Sequence, residues 1–342
     1  MKELLRKVFI LSGILVGLSG AFLIKESVLI ANGVMPKALS KVSYIGDVDK
    51  GDGPIETGEV IQGEVQDREK DVHNKVEQKK EIQKNALSEK YKKINKDLSF
   101  PKVTSSSYMV ADIETGEVIA YRYPDQMYPI ASLSKLMTAL VAFETMNFED
   151  IVKVSRDAVA TYGAAGGLSY GDSMTLWQML HPLLLSSSND AAEAIAETAG
   201  RSHFMGNMNG KAKSIGLNKT YFDDPSGLSE KNISTSRELF NLTKYIYEKH
   251  PDILEITREK KFEFDDWTWY NQSRFRNDKN YIGGKNGFTD YAQHTLISIF
   301  ELPLGENGAL RDVAVVLLNG QKTEKDMRSI VAYLSKNIEY TK

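Results

Sequence analysis

Apolar and polar positions divide the chain into three stretches of different character. The first holds an uncharged run from Val8 to Ile24, preceded by Lys2, Arg6 and Lys7 and closed by Lys25. At about 1.5 Å per residue this run predicts a helix of roughly 25 Å. That is slightly short for the roughly 30 Å hydrocarbon core of a bilayer, a mismatch that snorkelling lysines and local thinning absorb. The basic flank favours a cytoplasmic N-terminus. A retained anchor over residues 1–33 is the favoured reading, and a cleaved signal peptide is the rival, because Ser19-Gly20-Ala21 offers small residues for a cut. Either way, everything downstream is exported.

The second stretch, 34–100, is polar. Gly46 to Gly63 is rich in Gly, Asp and Glu and reads as flexible linker. From Asp67 to Asp97 charges of both signs are dense, and Val72, Val76, Ile82, Leu87, Tyr91, Ile94 and Leu98 fall mostly three to five apart. That spacing puts them on one helical stripe and predicts a stalk that is helical toward its end. The segment IETGEVI at Ile55–Ile61 recurs letter for letter at Ile113–Ile119. Coincidence or duplication accounts for it, and no function follows.

The third stretch, 101–342, carries the patterns of a folded domain. Tyr108–Ile113 and Glu117–Tyr121 are strand-like and joined by Glu114-Thr115-Gly116, a hairpin. Helical patterns dominate from Ser132 to about His250. Strand-like runs follow at Leu296–Phe300 and Val313–Leu318, then a helix from about Glu324 to Asn337. Strands near both ends with helices between them predict an α+β fold: an antiparallel sheet flanked by helices, with a large helical insertion. Composition sharpens this only a little. The 42% hydrophobic and 26% charged residues suit a packed core, and a net charge of −3 gives no general attraction to nucleic acid. The absence of cysteine excludes disulfides, thiolate metal sites and a cysteine nucleophile. His73, His181, His203, His250 and His294 show no metal-type spacing.

Three short stretches carry candidate chemistry. In Pro129-Ile130-Ala131-Ser132-Leu133-Ser134-Lys135, Ser132 and Lys135 are three apart at the start of a helix that is apolar on nearly every face, so both side chains share its first turn. A helix N-terminus and burial both disfavour a cation there, pushing the lysine toward an amine able to accept the Ser132 proton. An ordinary lysine is neutral at pH 7 to only about one part in two thousand. Read alone, the stretch is a serine cap followed by a surface lysine. Ser186-Ser187-Ser188-Asn189-Asp190 lies between two helical patterns and alone is a helix-to-helix turn with Asn189 or Asp190 as cap. Gly283-Gly284-Lys285-Asn286-Gly287 offers glycines that admit another molecule's backbone beside a fixed cation; alone it is a Gly-rich turn.

Together and in this order, the three match the S-x-x-K, S-x-N and K-[TS]-G set of penicillin-binding proteins and serine β-lactamases. With Asn189-Asp190-Ala191-Ala192, Phe222-Asp223-Asp224-Pro225-Ser226-Gly227-Leu228 and Gly287-Phe288-Thr289-Asp290, the chain from about Tyr108 to Gln321 resembles the low-molecular-mass D-alanyl-D-alanine carboxypeptidases. The resemblance implies a β-lactamase/penicillin-binding-protein transpeptidase-like fold over 101–342. It implies Ser132 as acylated nucleophile, Lys135 as its base and Ser187 as proton relay to the leaving amine. Asn189, Lys285, Asn286, Gly287 and Phe288 would bind substrate, Asn189 at its peptide backbone, with Ser132 and Phe288 N–H groups facing the oxyanion. It implies peptidoglycan peptides as substrate, β-lactams as covalent inhibitors, no metal or organic cofactor, and a location on the outer face of the cell membrane. Lys-Asn-Gly departs from the pattern: the usual hydroxyl that helps hold the substrate carboxylate is replaced by the longer Asn286 amide; Arg274 and Arg276 upstream read first as surface arginines, with compensating charge as the alternative. The family's common C-terminal β-rich domain and anchor have no counterpart here, and an N-terminal anchor with a spacer would tether from the other end. A D,D-endopeptidase uses the same residues. A β-lactamase lacks support, because no E-x-x-L-N pattern lies between Ser132 and Lys285. A catalytically silent penicillin- or wall-binding domain is a further alternative, against which Ser132, Lys135, Ser187 and Asn189 argue.

Overall fold

A computed structural model of the protein describes residues 89–163 and 166–341. The strands in chain order are β1 (Tyr91–Lys93), β2 (Ser107–Asp112), β3 (Val118–Arg122), β4 (Tyr128–Pro129), β5 (Ile151–Lys153), β6 (Ser173–Thr175), β7 (Ile233–Ser234), β8 (Lys261–Phe264), β9 (Trp267–Tyr270), β10 (Tyr281–Thr289), β11 (Gln293–Leu302), β12 (Arg311–Gly320) and β13 (Ile338–Tyr340). The α-helices are α1 (Ser134–Thr145), α2 (Arg156–Val159), α3 (Leu176–Leu184), α4 (Asn189–Thr198), α5 (Arg201–Ser214), α6 (Ser236–Lys249), α7 (Pro251–Arg258) and α8 (Thr323–Asn337).

The apolar runs of β2, β11 and β12 need burial on both faces, and the fold supplies it. Five strands form one antiparallel sheet in the order β10-β11-β12-β2-β3. One edge comes from the N-terminal hairpin and the other from the C-terminal half. Successive strand residues point to opposite faces. Val313, Val315 and Leu317 pack with Met327, Ile330 and Leu334 of α8, while Ala314, Val316 and Leu318 join Ile297, Ile299 and the helices of the insertion. The result is the expected α+β layering. Helices α1 to α7 form the insertion between β3 and β10. Within it α1 is buried from Ser134 through Ala142, as a helix apolar all round must be.

Two differences from the sequence reading concern short strands. Residues 89–100, expected as the end of a helical stalk, instead join the domain: β1 pairs antiparallel with β13, Tyr91 opposite Tyr340. Tyr91 is 2% exposed, and its hydroxyl donates to Asp112 Oδ2 at 2.6 Å. A phenol satisfies both its ring and its tip there, which a solvated helical stripe would not allow. The insertion also contains three small antiparallel ribbons, β4–β7, β5–β6 and β8–β9, that helical periodicity did not reveal. The second IETGEVI copy forms the β2–β3 turn as expected, with Gly116 at φ +78 and Asp112 Oδ1 accepting from Thr115 N at 2.8 Å. The first copy and the run Val8–Ile24 lie outside the described residues. Among the described residues no helix is long and apolar enough to cross a membrane.

Asp112 ties these ends together. Fully buried, it accepts from Tyr91, from Thr115 and from Arg311, whose Nε and Nη2 lie 2.8 and 2.5 Å from Oδ2. Burial pushes the carboxyl up, but the hydrogen bonds and the guanidinium outweigh it and hold it below the usual carboxylate range. The carboxylate's contribution is therefore present at neutral pH and lost as pH falls through the folded value. Arg311→Ala should lower stability by about 3 kcal/mol, because it leaves a buried charge without its cation. The deficit relative to the parent should shrink below about pH 4, where even an ordinary Asp begins to protonate. Urea unfolding at several pH values measures both.

Candidate active site

The site begins at the turn into α1. The helix start expected at Ser132 is a 3₁₀ turn over Ala131–Leu133 that leads into α1. Ala131 has φ +48, a left-handed conformation costly for a residue with a Cβ. Two contacts hold it there. Ser134 Oγ donates to Ala131 O at 2.9 Å, and Gly227, at φ +89, leaves space for that carbonyl where an added Cβ would overlap it. Ser132 is thereby turned out of the core and left half-buried beside the fully buried Lys135.

Lys135 Nζ has three neighbours: Ser132 Oγ at 3.1 Å, Asn189 Oδ1 at 2.6 Å and the Ser226 carbonyl at 2.5 Å. The two carbonyl oxygens can only accept. A neutral amine has two N–H groups for them and one lone pair left for the Ser132 hydroxyl. Burial pushes the Lys135 pKa well down, the nearby Lys285 cation pushes it further, and Asp224, Asp190 and Glu193 oppose both. The arrangement can therefore take a proton from Ser132.

Ser226 is placed by a loop that is itself organised by one carboxylate. Asp224 Oδ1 accepts from the N–H groups of Ser226 and Gly227 at 2.7 and 2.6 Å, and Oδ2 accepts from Ser229 N at 2.6 Å. Asn232 Nδ2 links this loop to α1, donating to Ser134 Oγ at 2.9 Å and to Asp224 O at 2.8 Å. Asp224, Ser226, Gly227 and Asn232 received no role from the sequence. The readable signal was an Asp followed by Ser-Gly, the composition of a tight side-chain-capped turn.

The three serines before α4 have three separate tasks. Ser188, and not Asn189 or Asp190, is the N-cap, its Oγ accepting from Ala191 N at 2.9 Å. Capping by Ser188 leaves Asn189 at the first helical position with its amide aimed at Lys135. Ser187, at φ +61, points to Lys285, Oγ to Nζ 2.9 Å. The Ser186 carbonyl accepts from Gln272 Nε2 at 2.7 Å. Asn189 was expected at the substrate's backbone. Its Oδ1 accepts from Lys135 and its Nδ2 donates to Tyr162 O and Gly163 O at 2.8 and 3.2 Å, so its amide is committed within the protein.

Lys285 sits in the middle of β10, the free edge of the sheet, not in a turn. It is 3% exposed, and burial lowers its pKa to about 7. The glycines before it do not admit another molecule. Added Cβ atoms would meet Thr257 Oγ1 of α7 at Gly283 and overlap the Ile297 carbonyl of β11 at Gly284, so the close approach is by the protein itself. Gly287 is different: an added Cβ there would lie 2.7 Å from Ser132 N, which brings β10 against the nucleophile turn. Phe288 is 53% exposed on the edge beyond it. Asn286 lines a groove of about 1110 Å³ together with Gly287, Phe288, Arg274 and Arg276. The structure thus brings Ser132, Lys135, Asn189, Ser187, Lys285 and Gly287 into one cleft, with Asn286, Phe288 and the two arginines at its rim.

Comparison with known proteins agrees with this geometry. The D-alanyl-D-alanine carboxypeptidase family model matches residues 94–321. A D-alanyl-D-alanine endopeptidase of Escherichia coli is 35% identical over 58% of this chain and 68% of its own length. The D-alanyl-D-alanine carboxypeptidase DacC of the same organism is 31% identical over 66% of this chain, which spans 58% of that relative. The structure of penicillin-binding protein D2 from Listeria monocytogenes, solved in its cefotaxime-bound form, superposes with a TM-score of 0.62 at 25% identity, covering 69% of this chain and 98% of that one. With a match across two thirds of its length and the three motifs assembled in one cleft, the chain belongs to the D-alanyl-D-alanine carboxypeptidase family.

Proposed function

We propose that the protein is an extracytoplasmic serine D,D-peptidase that removes the terminal D-alanine from peptidoglycan peptides through an acyl-enzyme on Ser132. The observation that carries this reading is the buried Lys135 Nζ, bonded to two carbonyl oxygens that can only accept and 3.1 Å from Ser132 Oγ, an arrangement that suits a neutral amine. In the forward step Ser132 Oγ bonds to the carbonyl carbon of the penultimate D-alanine and its proton passes to Lys135. The oxyanion meets the N–H groups of Ser132 and Phe288; in comparable sites each such donor contributes roughly 3 to 4 kcal/mol. The peptide C–N bond then breaks, and the proton taken up by Lys135 reaches the departing amine by relay through the Ser187 hydroxyl, which leaves Lys135 neutral and Ser187 unchanged. Water hydrolyses the ester and returns Ser132. Lys285 and Asn286, aided by Arg274 and Arg276, hold the terminal carboxylate, while Asn189 orients Lys135.

The tether is part of the same proposal. The run Val8–Ile24 holds the protein at the outer face of the membrane, with the polar stretch before residue 89 as its spacer. β-Lactams would acylate Ser132 as substrate mimics, a reading supported by the cefotaxime-bound form of the Listeria protein. Endopeptidase cleavage of cross-links is the second reading, favoured by the 35% identical Escherichia coli endopeptidase.

Labelled penicillin tests the site directly. A stable adduct should form on the parent protein, none on Ser132→Ala and almost none on Lys135→Ala; an unchanged adduct on Ser132→Ala would refute the assignment. Release of D-alanine from a pentapeptide tests the activity. Lys285 gives a pH signature. As a carboxylate-binding cation it must be protonated, so kcat/KM for the pentapeptide should decline as pH rises through about 7 in the free enzyme. Lys285→Arg, always charged, should remove that descending limb and keep the ascending one set by Lys135. A limb that stays in place would contradict the role. Finally, Asn286→Thr should lower KM for a D-Ala-D-Ala peptide about fivefold, one added hydroxyl hydrogen bond being worth about 1 kcal/mol net. No change would remove Asn286 from carboxylate binding.

A further inference from the structure

Three carboxylates act on the Lys135 amine, Asp224, Asp190 and Glu193, and their own bonding sets them apart. Asp224 is occupied by the turn it organises, accepting from Ser226 N and Oγ, Gly227 N and Ser229 N at 2.6 to 2.8 Å. Glu193 is paired with the Arg201 guanidinium, Nε to Oε2 2.7 Å and Nη2 to Oε1 3.2 Å. Asp190 has neither arrangement. It is fully buried, its Oδ1 accepts from Ser188 Oγ and from Ala191 N at 3.1 Å, and among the described residues no donor reaches Oδ2.

Leaving a buried carboxylate oxygen without a donor is costly, and nothing in the packing of α4 demands a carboxylate at that position. Two features hold it there. Asp190 lies in the first turn of α4, where the helix N-terminus favours an anion. Gly166 closes over it: an added Cβ would lie 3.1 Å from Asp190 Oδ1, and Trp269 Nε1 fixes the Gly166 carbonyl at 2.7 Å. The preceding residue, Asn189, holds Lys135 Nζ at 2.6 Å. An enclosed anion with an uncommitted oxygen therefore sits one residue from the amide that orients the base.

We propose that Asp190 is a positioning residue that acts through Lys135, supplying the fixed negative charge against which Lys135 becomes an ammonium when it takes the Ser132 proton. The proposal rests on the D,D-peptidase reading of Ser132. In that step the Ser132 O–H bond breaks, the Oγ–C bond forms, and a second cation arises in the cleft that already holds Lys285. The substrate carboxylate answers Lys285, and Asp224 and Glu193 are engaged by their own partners. Asp190 answers the new cation, and because it is in place beforehand it needs no reorganisation during the reaction. The direction of each influence agrees. Burial and Lys285 lower the Lys135 pKa, and Asp224, Asp190 and Glu193 are the groups that raise it.

Asp190→Asn, nearly the same in shape, tests this, with Glu193→Gln as the second variant. Acylation by labelled penicillin is followed across the ascending pH limb, beside thermal unfolding and titration of the Lys135 amine by lysine NMR. Without the anion the ammonium form is less stable, so in Asp190→Asn both the Lys135 midpoint and the limb should move to lower pH by about one unit. A weaker base takes the proton less readily, so acylation on the plateau should fall about fivefold, while at the acid end the variant is no slower than the parent. Tm should change little. Glu193→Gln, whose lost charge was already answered by Arg201, should leave the limb in place. A rate that drops equally at every pH, an unmoved Lys135 midpoint, or an Asp190→Asn protein that does not fold would overturn the proposal and make Asp190 a structural residue. A full-unit shift in Glu193→Gln would overturn it too, since the uncommitted oxygen would then confer nothing. Failure of the parent to form a penicillin adduct would sink the underlying peptidase reading, and the NMR midpoints, which need no turnover, separate that failure from this one.

Discussion

A lysine amine enclosed by protein, with a hydroxyl and two carbonyl oxygens as its hydrogen-bonding neighbours, sets the conditions that the rest of the cleft meets. Removing a cation from water costs several kcal/mol, and the group relieves that cost by giving up its proton. Lys135 then becomes useful only if its two N–H groups are bound elsewhere and its lone pair faces Ser132. That requirement explains the surroundings. The Asp224 turn exists to present the Ser226 carbonyl, and Ser188 caps α4 so that Asn189 presents Oδ1. Positive φ at Ala131 is held by Ser134 Oγ and the space at Gly227, and positive φ at Ser187 accompanies its contact with Lys285, a common arrangement where backbone conformation serves chemistry.

The sheet contributes the second lysine. Because β10 is an edge strand, Lys285, midway along it, lies at the margin of the sheet and can project into the cleft. Two buried amines in one cleft oppose each other's protonation, and the site resolves this by giving them unequal surroundings. Lys135 has Asn189 and Ser226 to hold a neutral amine, and Lys285 has the Ser187 hydroxyl and the rim of the groove, where an anion can pair with it. One group is suited to take a proton and the other to keep one. That division is how a single fold places a base and an anion-binding cation side by side.

Much of this was legible in the sequence because it depends on periodicity and local spacing. The run after Lys135 showed a helix with no polar face, and Val313–Leu318 showed a strand with none; both were buried on all sides as a consequence. What stayed hidden was set by tertiary contact. Tyr91 belonged by spacing to a helical stripe, yet the buried Asp112 and the β13 edge gave its ring and hydroxyl better partners. Gly283 and Gly284 signalled close approach correctly but not what approaches, since only the packing of α7 identifies Thr257. Ser188 and Asn189 are both good helix caps, and the choice between them depends on Lys135, far away in the chain. The groove along α8 joins residues from 271 to 332, and no local pattern marks it.

The state of Lys135 is the claim that everything else needs, and it can be observed without turnover. Protein labelled with ¹³C and ¹⁵N at lysine, with the Lys135 resonance assigned by its loss in Lys135→Met, would be titrated by NMR from pH 5 to 11. The account predicts a neutral-amine Nζ signal for Lys135 at pH 7.5. A Lys135 signal that remains ammonium-like until about pH 10, as an ordinary lysine does, would contradict it.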